Sequence, residues 1–191
     1  MNTKRRNAFI LGIGLGLLAL TGCTTTGSTG GDPAEQRQSL NSAADTALSR
    51  LYAQQPGTRE LISSARGYLV FPSQVSAGFL VGGGSGQGVL RVGGKTTGFY
   101  RMTEGSVGLL AGAQSQAVFI LFMTDEALKR FEASSGWTVG ADANVSMINV
   151  GANATLNTTT TRQEVIGFVM TNGGLMGNLS LNGNRVTRLS L

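Results

Sequence analysis

Histidine is absent from this 191-residue chain, and cysteine occurs once, as Cys23. Without histidine, the chain lacks the side chain that most often acts as a general base or a zinc ligand near neutral pH. A single cysteine excludes an internal disulfide and any cluster of thiolate ligands. The acidic residues are scattered, and none of them belongs to a recognisable calcium-binding loop. We therefore expect no catalytic residue, no metal site and no cofactor, and we expect that the protein is not an enzyme.

The first residues have the three parts of a bacterial lipoprotein signal. Residues 4–6 are Lys-Arg-Arg, and an apolar run follows over residues 8–20. That run is shorter than the ~20 residues that a membrane-spanning helix needs. It ends in Leu-Thr-Gly-Cys, a lipobox in which small residues fit a protease cleft and the thiol accepts a lipid. The sequence predicts a signal peptide over residues 1–22 and an acylated Cys23.

Removal of the predicted signal peptide lowers the positive charge. The whole chain has 15 Lys and Arg against 10 Asp and Glu, a net charge of +5. Three of the cations lie in the signal peptide, which leaves 12 against 10, or +2, in the mature chain. Nucleic-acid binding requires a dense basic surface, so we expect no nucleic-acid partner. Attraction to anionic lipid remains open at a local basic patch.

The mature chain divides into a short tether and one domain. Residues 23–31 are small and polar and predict a flexible tether that begins at Cys23. Residues 32–191 are enough for one domain with a single core, and no second boundary is evident.

Three helices are predicted within that domain. Asp32 is a suitable N-cap for a long helix in which apolar residues recur at helical spacing. Thr58 is expected to cap a second, short helix over residues 59–65. Thr124 is expected to cap a third helix over residues 125–131, which has acids in its first turn and bases later.

The rest of the domain is typical of β-structure. Short apolar stretches are separated by glycines, residues 118–123 predict a buried strand, and Gly93-Gly94 predicts a hairpin turn. The segment 82–88 fits neither a dinucleotide-binding nor a P-loop pattern and is interpreted as a flexible hairpin or a bulged strand pair. A further strand is expected from residue 137 to about 150. The fold class predicted is mainly β (α+β): an antiparallel, closed or nearly closed β-barrel or sandwich with two N-terminal helices and one inserted helix.

Five basic residues are candidates for lipid binding. Arg91, Lys95 and Arg101 flank the predicted turn, where three nearby cations would suit a lipid phosphate. They would equally suit a strand edge protected by charge against strand addition, and the sequence leaves both readings open. Arg59 and Arg66 lie on or beside the second helix and complete the set.

Several segments resemble the SYLF domain in sequence and order. They are Ala65–Pro72, Ala77–Gly83, Gly86–Leu90, Gly105–Leu109, Ala111–Ser115, Phe122–Thr124 and Gly140–Ala143. The resemblance extends from about Asp32 to Leu191. It implies a lipid-binding module, because eukaryotic relatives bind phosphoinositides and some regulate actin.

The resemblance is incomplete at the first helix. In the eukaryotic relatives lipid contact is attributed largely to a basic, amphipathic N-terminal helix, whereas this one has only Arg37 and Arg50 as cations. The resemblance therefore implies association with membrane lipid but not a phosphoinositide site. We expect a lipid-anchored envelope protein at the outer membrane, facing the periplasm, because Thr24 rather than aspartate follows Cys23. A structural lipoprotein that binds an envelope protein remains the alternative.

Overall fold

The computed structural model describes residues 32–149, 163–173, 181 and 183–191 of the protein. For residues 79–81, 106–112, 149 and 173 it describes the backbone only. All of these residues fall within one compact unit, residues 31–191. The predicted signal peptide, Cys23 and the tether up to residue 31 lie outside the described residues.

Helix α1 (Pro33–Gln54) begins where the sequence predicts. The Asp32 carboxylate accepts a hydrogen bond from the Ala34 N–H at 2.9 Å and so satisfies one free donor of the first turn. The helix ends just before Pro56, which cannot continue it. One face of α1 is buried through Ala44, Ala47, Leu48 and Leu51.

Helix α2 (Thr58–Ser64) differs from the prediction at its first residue. Gly57 is the N-cap residue, and Thr58 lies inside the helix and is fully buried. The Thr58 hydroxyl donates to the Gln55 carbonyl at 2.7 Å, so it does not cap an N–H group. The predicted cap was wrong because the chain turns one residue earlier.

The centre of the fold is one long antiparallel hairpin. Strands β1 (Gly67–Val92) and β2 (Lys95–Phe122) are joined by Gly93 and Gly94, with φ of 57° and 77°. Positive φ at both turn residues defines the tight two-residue turns that match the strand twist, which confirms the predicted turn. The short separate strands expected here were wrong. The glycines interrupt the apolar pattern but not the backbone pairing, and residues 82–88 continue in β1 opposite β2.

Four short strands complete the described sheet: β3 (Trp137–Thr138), β4 (Val145–Asn149), β5 (Val165–Gly173) and β6 (Arg185–Leu189). Strand β2 pairs with β1 along one side and with β6 and then β5 along the other. Strand β4 runs parallel to β5, so the sheet is mixed where we expected antiparallel pairing throughout. The single strand expected over residues 137–150 is interrupted by a turn.

Helix α3 (Asp125–Ala133) begins after Thr124, whose hydroxyl accepts from the Ala127 N–H at 3.2 Å, as predicted. The helix lies on the opposite face of the sheet from α1. One core therefore contains the α3 residues with Tyr100, Phe122 and Trp137, and the other contains α1 with the neighbouring side chains of β1, β2 and β5. The domain is a strongly curled, mixed half-barrel with three helices, two of them N-terminal, and the predicted fold class is confirmed.

The curl brings the two halves of β1 against each other. A Cβ added at Gly88 would clash with the carbonyl oxygen of Val70 and lie 2.6 Å from the ring of Phe71. A Cβ at Gly86 would lie 2.7 Å from the carbonyl oxygen of Ser73. Glycine therefore permits a backbone approach that any larger residue would prevent.

Candidate functional site

Arg66, one of the five candidate cations, is paired at the surface. Its Nε lies 3.7 Å from a carboxylate oxygen of Asp125, and both side chains are 59 % exposed. Such exposed pairs contribute little stability and leave the guanidinium largely in water. Arg66 thus lies near the start of α3, at the beginning of β1.

Arg91 is a structural cation. Its side chain is only 12 % exposed, and Nη1 donates to the Asp45 carboxylate of α1 at 2.6 Å. Burial alone would lower the pKa of Arg91, but Asp45 and Tyr68, through hydrogen bonds and negative charge, together outweigh burial and raise it. Next to this pair, the Thr96 hydroxyl donates to the Asn41 side chain of α1 at 2.6 Å. These contacts attach α1 to the sheet near the turn.

Arg59 stacks on an aromatic ring. Its guanidinium carbon lies 4.2 Å from the ring centroid of Tyr52, within the range of a cation–π contact. Burial raises the pKa of Tyr52, as does nearby Tyr68, whereas Arg59 and Arg91 oppose the shift. Arg59 remains exposed, so this contact fixes its position without removing it from solvent.

Lys95 and Arg101 are exposed and have no ion pair with any described residue. Lys95 lies directly opposite Val92, which packs on the α3 side of the sheet, and opposite residues share a face. Arg101 lies opposite Gln87 and faces α1. Gln87, the β1 residue paired with Arg101, lies four residues from Arg91 along the strand, or about 13 Å. The structure therefore does not bring Arg91, Lys95 and Arg101 together as one site.

A groove lies between α1 and the sheet beside Arg101. We call it the α1 groove; its volume is about 370 Å³. It is lined by Leu40, Ala43, Pro72, Ser73, Ser85, Gly86, Gln87 and Arg101. Arg101 is the single charged residue in this lining, and the groove is open to solvent on one side.

Several polar side chains of the groove can donate hydrogen bonds. Gln36 of α1 donates its side-chain amide to the Gln87 carbonyl oxygen at 3.0 Å. That bond uses one of the two lone pairs of the Gln87 oxygen and leaves the amide N–H₂ of Gln87 available as a donor. The hydroxyl of Ser85 and the guanidinium of Arg101 are further donors in the lining.

A layer of buried amides lies behind the groove. Gln74 is fully buried, Gln116 is 2 % exposed, and the two residues are paired across β1 and β2. Neither polar atom of the Gln74 side chain has a hydrogen-bond partner, and the oxygen would lie 2.8 Å from a Cβ at Gly86. The sequence did not predict this layer. Whether a strand glutamine is buried depends on how the sheet curls, and the alternation of residues along a strand does not reveal that.

Other kinds of site find no support in the described part of the chain. No group of three or more Cys, Asp or Glu residues there could hold a metal ion. No described helix is long and apolar enough to span a membrane. Cys23 lies outside the described residues, so its predicted lipidation stays a prediction.

The curled half-barrel with its three helices defines the class of the domain as mainly β. Residues 103–190 match the family model described as Ysc84: Las17-binding protein actin regulator. This match covers 88 of the 191 residues and makes that part of the chain similar to the Ysc84/SYLF family, a family of lipid-binding actin regulators that is generally non-catalytic. The resemblance to the SYLF domain is thus confirmed over residues 103–190. No curated protein matches the chain.

Proposed function

We propose that this protein is a lipoprotein of the cell envelope whose SYLF domain binds membrane lipid and catalyses no reaction. In this proposal Cys23 carries the lipid anchor, and the domain faces the periplasm from the outer membrane. The lipobox and the match to a lipid-binding family support it. Actin regulation is a property of the family that a periplasmic address would exclude for this chain.

The observation that carries the proposal is the separation of charge along the hairpin. No Asp, Glu, Lys or Arg occurs over residues 67–90 or 105–124, and long parts of these segments pair with each other. Val75, which lies in the uncharged part, is 50 % exposed and is the one large exposed hydrophobic residue among those described. The unpaired cations Lys95 and Arg101 lie toward the turn. An uncharged surface bordered by cations suits the interface of an anionic bilayer.

Vesicle flotation tests lipid binding without the anchor. A fragment of residues 31–191 contains every described helix, strand and core residue, and it lacks Cys23. We expect this fragment to float with vesicles of phosphatidylethanolamine and phosphatidylglycerol at low salt, and less so as salt screens the cations. Failure to bind any envelope lipid at low salt would refute lipid binding and leave the alternative, an interaction lipoprotein, to be tested by crosslinking to envelope proteins.

A charge placed on the uncharged surface tests which part meets the bilayer. Val75→Glu should lower the bound fraction at least about fivefold, because it removes a half-exposed apolar group and adds a charge. Thr97→Glu is the matched control, since it adds the same charge at an exposed position near the turn. Equal losses for both variants would mean that net charge alone governs binding.

Metabolic labelling tests the anchor. The full-length chain should incorporate radiolabelled palmitate, and Cys23→Ser should abolish incorporation because no other thiol is present. An anchored domain needs only weak affinity for lipid, since the tether raises its local concentration at the membrane. Labelling of Cys23→Ser at the level of the native chain would disprove acylation at this residue.

A further inference from the structure

We propose that the α1 groove holds the phosphate head group of a single phospholipid, with Arg101 contacting the phosphate. This inference rests on the proposed function, because it names the residues and the part of the lipid that the domain recognises. It differs from the bilayer contact of the uncharged surface, which has no need of a specific site.

The charge of the groove favours an anion. Arg101 is the only charged residue in the lining, it is exposed, and it has neither an ion pair nor a hydrogen bond to another described residue. By contrast, Arg66 and Arg91 are each paired with an acid. An unpaired guanidinium presents fork-like donors that match the oxygen atoms of a phosphate.

The neutral groups of the groove favour the same ligand. The oxygen of Gln87 accepts the hydrogen bond from Gln36, and the amide N–H₂ of Gln87 remains available as a donor. Gln87 and Arg101 are directly opposite each other on β1 and β2, so their side chains share the α1 face. The hydroxyl of Ser85, two residues along β1 from Gln87, lies on that face as well. Three donors on one surface would surround an oxygen-rich group such as a phosphate diester.

The opposite wall explains why the ligand is a lipid and not free phosphate. Leu40 and Ala43 of α1 and Pro72 of β1 present carbon atoms to the groove. The glycerol and the first carbons of the acyl chains would pack there, whereas inorganic phosphate has nothing to place against this wall. A volume of about 370 Å³ is near the lower end of the range for small-molecule pockets. It suits a head group, with the acyl chains outside the groove.

A titration followed by NMR tests the site. The probe is dihexanoyl phosphatidylglycerol below its micelle concentration, added to the isotope-labelled fragment of residues 31–191. We expect saturable shifts of the Arg101 side-chain and Gln87 amide signals. Arg101→Gln should weaken binding at least about tenfold, because a hydrogen bond to a charged group typically contributes more than 1.4 kcal/mol. Lys129→Gln, which removes an exposed cation from α3 on the other face, should leave the affinity unchanged.

A second variant fills the groove and keeps its charge. Ala43→Leu adds three carbons to the apolar wall and should also abolish the saturable shifts, whereas Ala53→Leu, an exposed alanine of the same helix, should not. Circular dichroism identifies any variant that fails to fold. Arg101→Gln then tests the contribution of the charged wall to binding, and Ala43→Leu tests that of the apolar wall.

The outcomes distinguish this inference from the proposed function. Vesicle flotation that persists unchanged in Arg101→Gln and Ala43→Leu, with no saturable shifts in the native fragment, would overturn the groove and leave membrane binding intact. Glycerol 3-phosphate or inorganic phosphate that binds as tightly as the short-chain lipid would overturn a phospholipid ligand. Saturable shifts that are lost in the two groove variants, but not in the controls, would establish the site, and flotation would then measure how much the groove adds to the bilayer contact.

Discussion

Substitution of Gly88 by alanine should disrupt the curl of the sheet. Gly88 lies in the second half of β1, where the backbone of the first half crosses closest to it. A Cβ there would clash with the carbonyl oxygen of Val70 and lie 2.6 Å from Cδ1 and 2.9 Å from Cγ of Phe71. The side chain of Phe71 is fully buried in the core, so it cannot move aside without displacing its neighbours. The Val70 carbonyl belongs to a paired strand, so it can shift only with the backbone of β1.

The size of the effect follows from these contacts. Adding a methyl group to a packed core typically costs about 1–3 kcal/mol where side chains can rearrange. Here main-chain atoms obstruct the methyl group, so we expect Gly88→Ala to lower the free energy of unfolding by about 3 kcal/mol or more. With a urea m-value of about 2 kcal/mol/M, that corresponds to a fall of about 1.5 M in the unfolding midpoint.

Fluorescence of Trp137 measures this change. Trp137 is the only tryptophan in the chain, is 2 % exposed and contacts Phe122 and Phe131, so its emission reports on the core beside α3. The matched control is Gly105→Ala in β2, where an added Cβ would meet nothing within 4 Å. Gly105→Ala should be neutral or slightly stabilising, because alanine loses less backbone entropy than glycine on folding. A midpoint for Gly88→Ala equal to that of Gly105→Ala would refute the close crossing of the two halves of β1.

Three further changes test single contacts. Asp45→Ala should lower the free energy of unfolding by about 1–2 kcal/mol, because it leaves the mostly buried Arg91 without its partner. This is more than an exposed ion pair usually contributes. A double-mutant cycle with Arg91→Met, followed by urea unfolding, measures the coupling between the two residues. Thr124→Ala should cost about 1 kcal/mol by removing the cap of α3, and Thr124→Ser should retain most of that stability. Burial raises the pKa of Tyr100, so the folded state favours its neutral phenol. The contribution of this phenol to the free energy of unfolding should be fully present below about pH 10 and decline above it. Tyr100→Phe should make that decline shallower.

Local signals predicted the helices and the turn well. Asp32 and Thr124 are caps that act within a few residues, and their hydrogen bonds are as expected. The turn at Gly93 and Gly94 is likewise local, since it depends on the φ values of two residues. Thr58 shows the limit of this kind of reasoning, because its hydroxyl had a closer carbonyl to bond in the preceding turn.

The strands and the candidate site depended on long-range contacts that spacing does not reveal. Arg91, Lys95 and Arg101 lie near one turn, and the sequence left open whether they form a lipid-binding site or protect a strand edge. A register shift between Leu90 and Arg91 changes which face the following residues take, so Thr96 faces α1 and Lys95 faces away. Arg91 forms its ion pair with Asp45 of α1, which lies 46 residues earlier in the sequence. No local pattern contains that partner.

The glycines near the groove link the fold to the proposed site. Gly86 lines the groove, and a Cβ there would lie 2.7 Å from the Ser73 carbonyl and 2.8 Å from the amide oxygen of buried Gln74. Ser73 also lines the groove, so the two halves of β1 form adjoining parts of its surface only because the strand folds back on itself. Substitution of Gly86 would therefore lower stability and binding together and could not assign a role in recognition. Arg101 lies on β2 and Ala43 on α1, so neither belongs to the two halves of β1 that meet at Gly86. Loss of binding in their variants would therefore report on the ligand and not on the curl.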